Sequence, residues 1–184
     1  MVQTVLFVSQ QQIENHIRTR PGTMLISITS PGDRDAIIPD GYHSVLRLQM
    51  DDLYEEATGD PVGLYPDVGI DDNPVLWHGL RMPDGNHALQ IMGYLCAKDS
   101  SARHLIVHCH AGISRSAAVA QFVSDRFGAE LIGANPDTSC SNKRLLRLLN
   151  KVADGEPLTR FKQSPQPGIE NPVKQAYAQT QGLF

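Results

Sequence analysis

Short apolar runs alternate along the chain with longer segments whose apolar residues recur at helical spacing. The runs are rich in β-branched residues and are bounded by Ser, Pro, Gly or Asp, which is typical of buried strands. They predict strands at residues 4–9, 24–29, 44–50 and 104–109. The periodic segments predict helices from Ser9 to about Arg20, from Asp84 to about Lys98, over 114–128 and over 141–155.

Strands that alternate with helices favour an α/β fold with a mostly parallel central sheet and helices on both faces. Ligands of such folds bind beyond the carboxyl ends of the strands. Two predicted strands end there in reactive side chains, one in Asp51 and Asp52 and the other in Cys109. The pattern therefore indicates a site at this edge of the sheet.

Residues 53–83 interrupt the alternation with four prolines, four glycines and several aspartates. A long irregular segment inside a compact domain is usually functional. We expect one domain over residues 1–155, with 53–83 as a lid-like insertion. Residues 156–184 are rich in Pro, Gln and Gly and predict a C-terminal tail.

Composition narrows the functional classes. The net charge of −4 disfavours nucleic-acid binding through a broad basic surface. The N-terminal apolar run is too short for a signal peptide or a membrane span, so we expect a cytoplasmic protein with no membrane partner. Three cysteines without a Cys-x-x-Cys pair indicate neither a disulfide framework nor a zinc knuckle, and they favour a reducing compartment.

The stretch "VHCHAGISRS" (107–116) carries the chemistry. A cysteine that reaches water at the end of a strand is usually reactive, and the loop after Cys109 opens directly into a helix N-terminus. Backbone N–H groups of such a loop bind phosphate-like dianions and favour a thiolate. Gly112 permits the tight turn, Arg115 offers a planar fork for two phosphate oxygens, and Ser116 is the hydroxyl nearest to the thiolate.

"HCHAGISRSA" resembles the signature loop of the protein tyrosine phosphatase superfamily, Cys-x5-Arg followed by Ser or Thr, and "AGISRSA" is most similar to the dual-specificity branch. The likeness extends over about residues 84–153. Within it, "SNKRLLRLL" (141–149) is similar to a segment with a conspicuous Asn in small bacterial relatives.

This resemblance implies a metal-independent phosphatase of the cysteine-phosphatase fold that uses no cofactor. Cys109 would be the nucleophile that forms a phosphocysteine, Arg115 the phosphate clamp and Ser116 the hydroxyl that assists thiolate release. The intervening loop residues would bind the substrate phosphate: His110, Ala111, Gly112, Ile113 and Ser114. The substrate would be a phosphorylated protein or peptide, with phosphotyrosine and also phosphoserine or phosphothreonine as candidates.

A leaving alkoxide or phenoxide needs a proton, so a carboxylic acid should lie over the loop. By resemblance it follows the strand "VLRLQM" (45–50), and we favour Asp52 over Asp51 because small relatives place the acid second in a polar pair. The pair precedes Cys109 by more residues than is usual in compact members. An aspartate from the insertion region (Asp71, Asp72 or Asp84) is therefore the alternative general acid.

Two further interpretations remain. Three histidines (His104, His108, His110) lie close together in sequence, but the strand and loop already account for them, so we expect no metal site. The alternative function is a phosphopeptide-binding module of the same fold that turns over poorly because the insertion misplaces the acid.

Overall fold

The computed structural model describes residues 2–15, 21–69, 73–97, 102–133 and 136–160. Its strands are β1 (Thr4–Ser9), β2 (Thr23–Thr29), β3 (Ser44–Gln49), β4 (Leu76–Trp77), β5 (Leu80–Arg81), β6 (His104–Cys109) and β7 (Glu130–Leu131). Its helices are α1 (Gln10–Asn15), α2 (Glu55–Thr58), α3 (Gly85–Leu95), α4 (Arg115–Phe127) and α5 (Lys143–Asp154).

Five strands form the central sheet in the order β3-β2-β6-β1-β7, and every pairing in it is parallel. β4 and β5 form a separate antiparallel hairpin. The chain is thus an α/β protein, as the alternation of strands and helices predicts. Because all five strands run the same way, their carboxyl ends meet at one edge of the sheet, with β6 in its centre.

The sheet separates two apolar cores, since successive strand residues point to opposite faces. Helices α3, α4 and α5 pack on one face around β-strand residues such as Val5, Ile26 and Val107. On the other face, Ile13 of α1 packs against a smaller set that includes Leu25 and Ile106. The prediction of helices on both faces is confirmed.

The helix ends also follow the sequence signals. Asp84 caps α3 through a reciprocal capping box with His87, and Asn142 caps α5 by accepting from the Leu145 N–H at 2.9 Å. Gly128 ends α4 in the left-handed region, with φ 68°. The predicted continuation of α1 to Arg20 falls on residues 16–20, which lie outside the described residues.

The described part of the insertion 53–83 is fixed to α5. Arg144 of α5 pairs with the buried carboxylate of Glu55 and donates to the carbonyls of Pro66 and Pro83. Arg147, one helical turn later, donates to the second Glu55 oxygen at 2.7 Å. These bonds anchor the insertion on the domain body, and its role as a lid stays a prediction.

The described ranges contain no helix with both the length and the apolar character that a bilayer span requires. Of the expected tail 156–184, only 156–160 are described, and Arg160 forms a parallel bridge with Val68.

Candidate active site

The cysteine loop begins at Cys109, the last residue of the central strand β6, and ends where Arg115 begins α4. Gly112 lies in the middle of the loop with φ 74°. A Cβ at this position would meet the Ser9 nitrogen at 2.3 Å, because the loop packs directly on the end of β1. Both the backbone angle and the close packing therefore require glycine.

The Cys109 sulfur is held inside this loop. Its Sγ accepts the Gly112 N–H at 3.3 Å and lies 3.2 Å from the Ser116 hydroxyl. Cys109 is 1% exposed, so the expectation that this cysteine reaches water is wrong: the loop folds back over the end of the strand and covers it. The sulfur is thus held by a backbone N–H and lies beside a hydroxyl at the start of the loop.

Other backbone N–H groups of the loop remain available. Among the described residues, no acceptor takes a hydrogen bond from the N–H of Ala111, Ile113 or Ser114. Unpaired amides next to a helix N-terminus are the usual cradle for an anion. The side chains of His110, Ala111 and Ile113 point to solvent, whereas Ser114 is nearly buried.

Arg115 is the first residue of α4, directly after the loop, and it is 4% exposed. Its Nη1 donates to the Met50 carbonyl at 2.7 Å and to the Ser30 hydroxyl at 3.2 Å. Its Nε is buried with no hydrogen-bond partner in the part of the chain that the structure describes, and it lies 4.0 Å from the Asp52 carboxylate. A buried guanidinium N–H without an acceptor is costly, so this group is prepared to bind an anion.

Asp52 lies beside the loop, and its role as the general acid stays a prediction. Its Oδ1 accepts from the Ser114 hydroxyl at 2.6 Å and from the Asn142 side-chain amide at 2.9 Å. The side chain is 37% exposed, so it borders both the loop and solvent. The insertion that follows Asp52 does not displace it from the loop.

The other candidate acids lie elsewhere or are not described. Asp51 accepts the Arg81 N–H at 2.8 Å and thereby holds the β4–β5 hairpin. Asp84 is 1% exposed and serves as the cap of α3. Asp71 and Asp72 lie outside the described residues. Of the aspartates that the structure describes among these candidates, only Asp52 bonds to the cysteine loop.

Sequence reasoning missed two contributors to this site. Asn142 is recognisable in sequence as a helix cap, but its bond to Asp52 joins residues 90 positions apart and leaves no local signal. Ser30 reads as part of a turn after β2, yet its hydroxyl accepts from Arg115. Both belong to connections at the carboxyl edge of the sheet, and for Asn142 the resemblance of "SNKRLLRLL" to a segment with a conspicuous Asn is a second hint.

The three histidines do not converge. His104 Nδ1 contacts the Thr4 hydroxyl at 2.9 Å, His108 Nε2 contacts the Ser27 hydroxyl at 2.8 Å, and His110 is exposed on the loop. Burial lowers the pKa of His108 to about 4, so this ring is neutral at physiological pH. No cluster of three or more His, Cys, Asp or Glu suited to a metal occurs within the described ranges.

Comparisons with protein-family models, with curated proteins and with solved structures gave no match for this chain. Any assignment of function therefore depends on the geometry of the site and on the resemblance of its loop.

Proposed function

We propose that this protein is a metal-independent cysteine phosphatase that hydrolyses phosphotyrosine, and also phosphoserine or phosphothreonine, in proteins or peptides. The observation that carries the proposal is one arrangement of groups. The Cys109 sulfur lies in a loop where several amides, like the Nε of the adjacent Arg115, have no acceptor among the described residues, and the Asp52 carboxylate is bonded to that loop. Each part has a defined task in phosphoryl transfer.

In the first step, the Cys109 thiolate attacks phosphorus and the bond to the ester oxygen breaks. Arg115 and the loop amides stabilise the equatorial oxygens of the transition state, and Asp52 gives its proton to the leaving oxygen. The product is a phosphocysteine. In the second step, Asp52 takes a proton from the attacking water, and the Ser116 hydroxyl, 3.2 Å from Sγ, stabilises the departing thiolate.

The hydrogen bonds of Asp52 indicate which of its oxygens carries the proton. Oδ1 already accepts from Ser114 and Asn142, so the acidic proton belongs on Oδ2. Oδ2 is also the oxygen nearest to Arg115 Nε, at 4.0 Å. A proton on Oδ2 would face the leaving group of a phosphate that Arg115 holds.

The direct test is phosphate release from p-nitrophenyl phosphate in the presence of a chelator and a reductant. We expect turnover by the wild type and none by Cys109→Ser. Cys140→Ser is the matched control, because Cys140 is an exposed free cysteine and its substitution should preserve activity. Acid quenching during turnover, followed by mass spectrometry, should find phosphate on the Cys109 peptide. An inactive wild type under reducing conditions would contradict the proposal.

The same experiment separates turnover from binding alone. A binding module would hold a phosphotyrosine peptide tightly and release no phosphate. The bonds of Asp52 to Ser114 and Asn142 favour turnover, since they hold the acid beside the loop rather than away from it. Tight peptide binding by an inactive wild type would instead favour the module.

A cytoplasmic location is part of the proposal. A nucleophilic cysteine must remain reduced, and the described Cys96, Cys109 and Cys140 are all free thiols. Fractionation of cells that express the full chain tests this point.

A further inference from the structure

A cleft of about 720 Å³ lies next to the cysteine loop and shares His110 and Ala111 with it. Its other walls come from α1, which contributes Glu14, and from the turn after β2, which contributes Asp33 and Arg34. The volume is within the range of about 300–1,000 Å³ for ligand pockets. A substrate whose phosphate occupies the loop would continue into this cleft.

Arg34 contributes no net positive charge to the cleft. Its Nη2 pairs with the Glu14 carboxylate at 3.0 Å, and Gln10 and the Ile37 N–H donate to the same carboxylate. These hydrogen bonds lower the pKa of Glu14 to about 2, so Glu14 is ionised throughout the physiological range. The two opposite charges cancel.

Asp33 is the charge that remains. It is exposed, and no cation of the described residues lies within salt-bridge distance of it. Its own N–H donates to the Ser30 carbonyl at 3.1 Å and closes a tight turn, and the Ser30 hydroxyl contacts Arg115. The turn that supports the phosphate clamp therefore also presents an uncompensated carboxylate to the cleft.

We propose that this cleft selects phosphopeptides with a lysine or arginine close to the phosphorylated residue, and that Asp33 is the specificity-determining side chain. The inference rests on the proposed phosphatase function. A second phosphate group is disfavoured, because Glu14 neutralises Arg34 and Asp33 repels anions. An exposed ion pair of this kind contributes modestly and is screened by salt.

The test uses phosphotyrosine peptides that differ at a single position near the phosphotyrosine, occupied by Lys, Gln or Glu. Each of the three positions on either side is varied in turn, and kcat/KM is measured from phosphate release. At the best position we expect the Lys peptide to exceed the Glu peptide about three- to tenfold at low salt, and the ratio to shrink at high salt.

Substitutions of Asp33 then test whether its charge causes the preference. Asp33→Asn should bring the Lys/Glu ratio close to one, and Asp33→Lys should invert it. Asp125→Asn is the matched control: Asp125 is exposed on α4, ten residues beyond Arg115 and so about 15 Å along the helix, and this variant should keep both the activity and the ratio. A ratio reports selection, which a merely structural role of Asp33 would not change.

Three outcomes would overturn this inference without touching the phosphatase itself. One is hydrolysis that ignores the flanking residue at every position. Another is a Lys preference that Asp33→Asn leaves intact. The third is a preference for Glu peptides that Arg34→Gln removes, which would assign an acidic partner to the cleft. If the wild type hydrolyses neither p-nitrophenyl phosphate nor any peptide, the proposed function itself fails.

Discussion

Two buried arginines, Arg115 and Arg144, show how differently the same side chain is used in this molecule. Both are nearly inaccessible, at 4% and 1% exposure. Arg144 donates through Nε, Nη1 and Nη2 to two carbonyls and to the Glu55 carboxylate. Arg115 has bonds only from Nη1, and its Nε has no acceptor among the described residues.

The difference suggests that Arg144 serves the fold and that Arg115 serves the binding of an anion. Each nitrogen of Arg144 has an acceptor, so Arg144 joins the insertion to α5, and its removal would leave the buried Glu55 carboxylate without one of its two arginine partners. A buried donor without an acceptor costs free energy in the resting protein and regains it only when a ligand supplies the acceptor.

Arg144→Met should cause the largest loss of stability. It leaves Glu55, whose side chain is fully buried, with only the partly exposed Arg147 as a charged partner. We expect a loss of about 3–5 kcal/mol in the free energy of unfolding, measured by urea denaturation. The double variant Arg144→Met/Glu55→Gln should recover part of it, because the buried carboxylate is gone. A loss below about 1 kcal/mol would mean that the network contributes little.

Arg115→Lys should affect activity rather than stability. Lysine cannot supply two donors in a planar fork, so we expect kcat/KM for p-nitrophenyl phosphate to fall about 10²- to 10³-fold. The free energy of unfolding should change by about 1 kcal/mol or less, since the resting protein uses only one end of the guanidinium. Comparable losses of stability in Arg115→Lys and Arg144→Met would break the distinction between the two sites.

His108 extends the comparison to a buried group that stays neutral. Its pKa is about 4 in the folded protein and about 6.5 when exposed. The unfolded chain therefore binds a proton as the pH falls below 6.5, and the folded chain does so only near pH 4. Its contribution to stability is complete above pH 6.5 and is lost as the pH falls to 4, by roughly 3 kcal/mol.

His108→Gln removes this titration. Denaturation at several pH values between 4 and 7 should show a shallower decline for the variant than for the wild type, whatever the absolute stability of each. Equal slopes would show that His108 is not responsible.

Substitutions of Asn142 should give the smallest effects. Its side chain has two separable tasks: the oxygen caps α5, and the amide donates to Asp52. Asn142→Ser keeps a good helix cap but loses the amide that donates to Asp52 and to the Leu53 carbonyl, so the free energy of unfolding should fall by about 1 kcal/mol. We expect about a tenfold lower kcat for an alkyl phosphate, whose leaving group requires the proton, and a smaller loss for p-nitrophenyl phosphate.

Asn142→Ala is the comparison variant for this residue. It loses the cap as well, and unfolding should show about 1 kcal/mol of additional destabilisation. If Asn142→Ser slows both substrates equally, the amide does not act through the acid.

The sequence predicts the main strands and the helices of this fold for a simple physical reason. Strands of a parallel sheet are buried on both faces, so β1, β2 and β6 are continuous apolar runs, and the helices beside them carry caps such as Asp84 and Asn142. β7 is too short, at two residues, to leave a pattern. The hairpin β4–β5 lies in a segment rich in Pro and Gly that predicts only irregular structure.

The candidate site is predictable in its local part and not in its long-range part. The cysteine loop is contiguous, so its spacing alone identifies Cys109, Gly112 and Arg115 as one unit. Arg144 is different: on an amphipathic helix it resembles a solvated charge, and only the packing of a segment about 80 residues earlier buries it. The burial of Cys109 is likewise not predictable from the sequence, because it depends on the path by which the loop folds back over the end of the strand.

The order of the strands has a consequence for how this site could change over time. Cys109 ends the central strand, whereas Asp52 follows β3 at the border of the sheet. A border strand has one neighbour, so Asp52 depends on its bonds to Ser114 and Asn142 for its place beside the loop, whereas Cys109 ends a strand that is paired on both sides. If the proposed function holds, loss of Asp52 alone would leave the phosphate-binding loop in place and would turn a catalyst into a phosphate receptor in a single step.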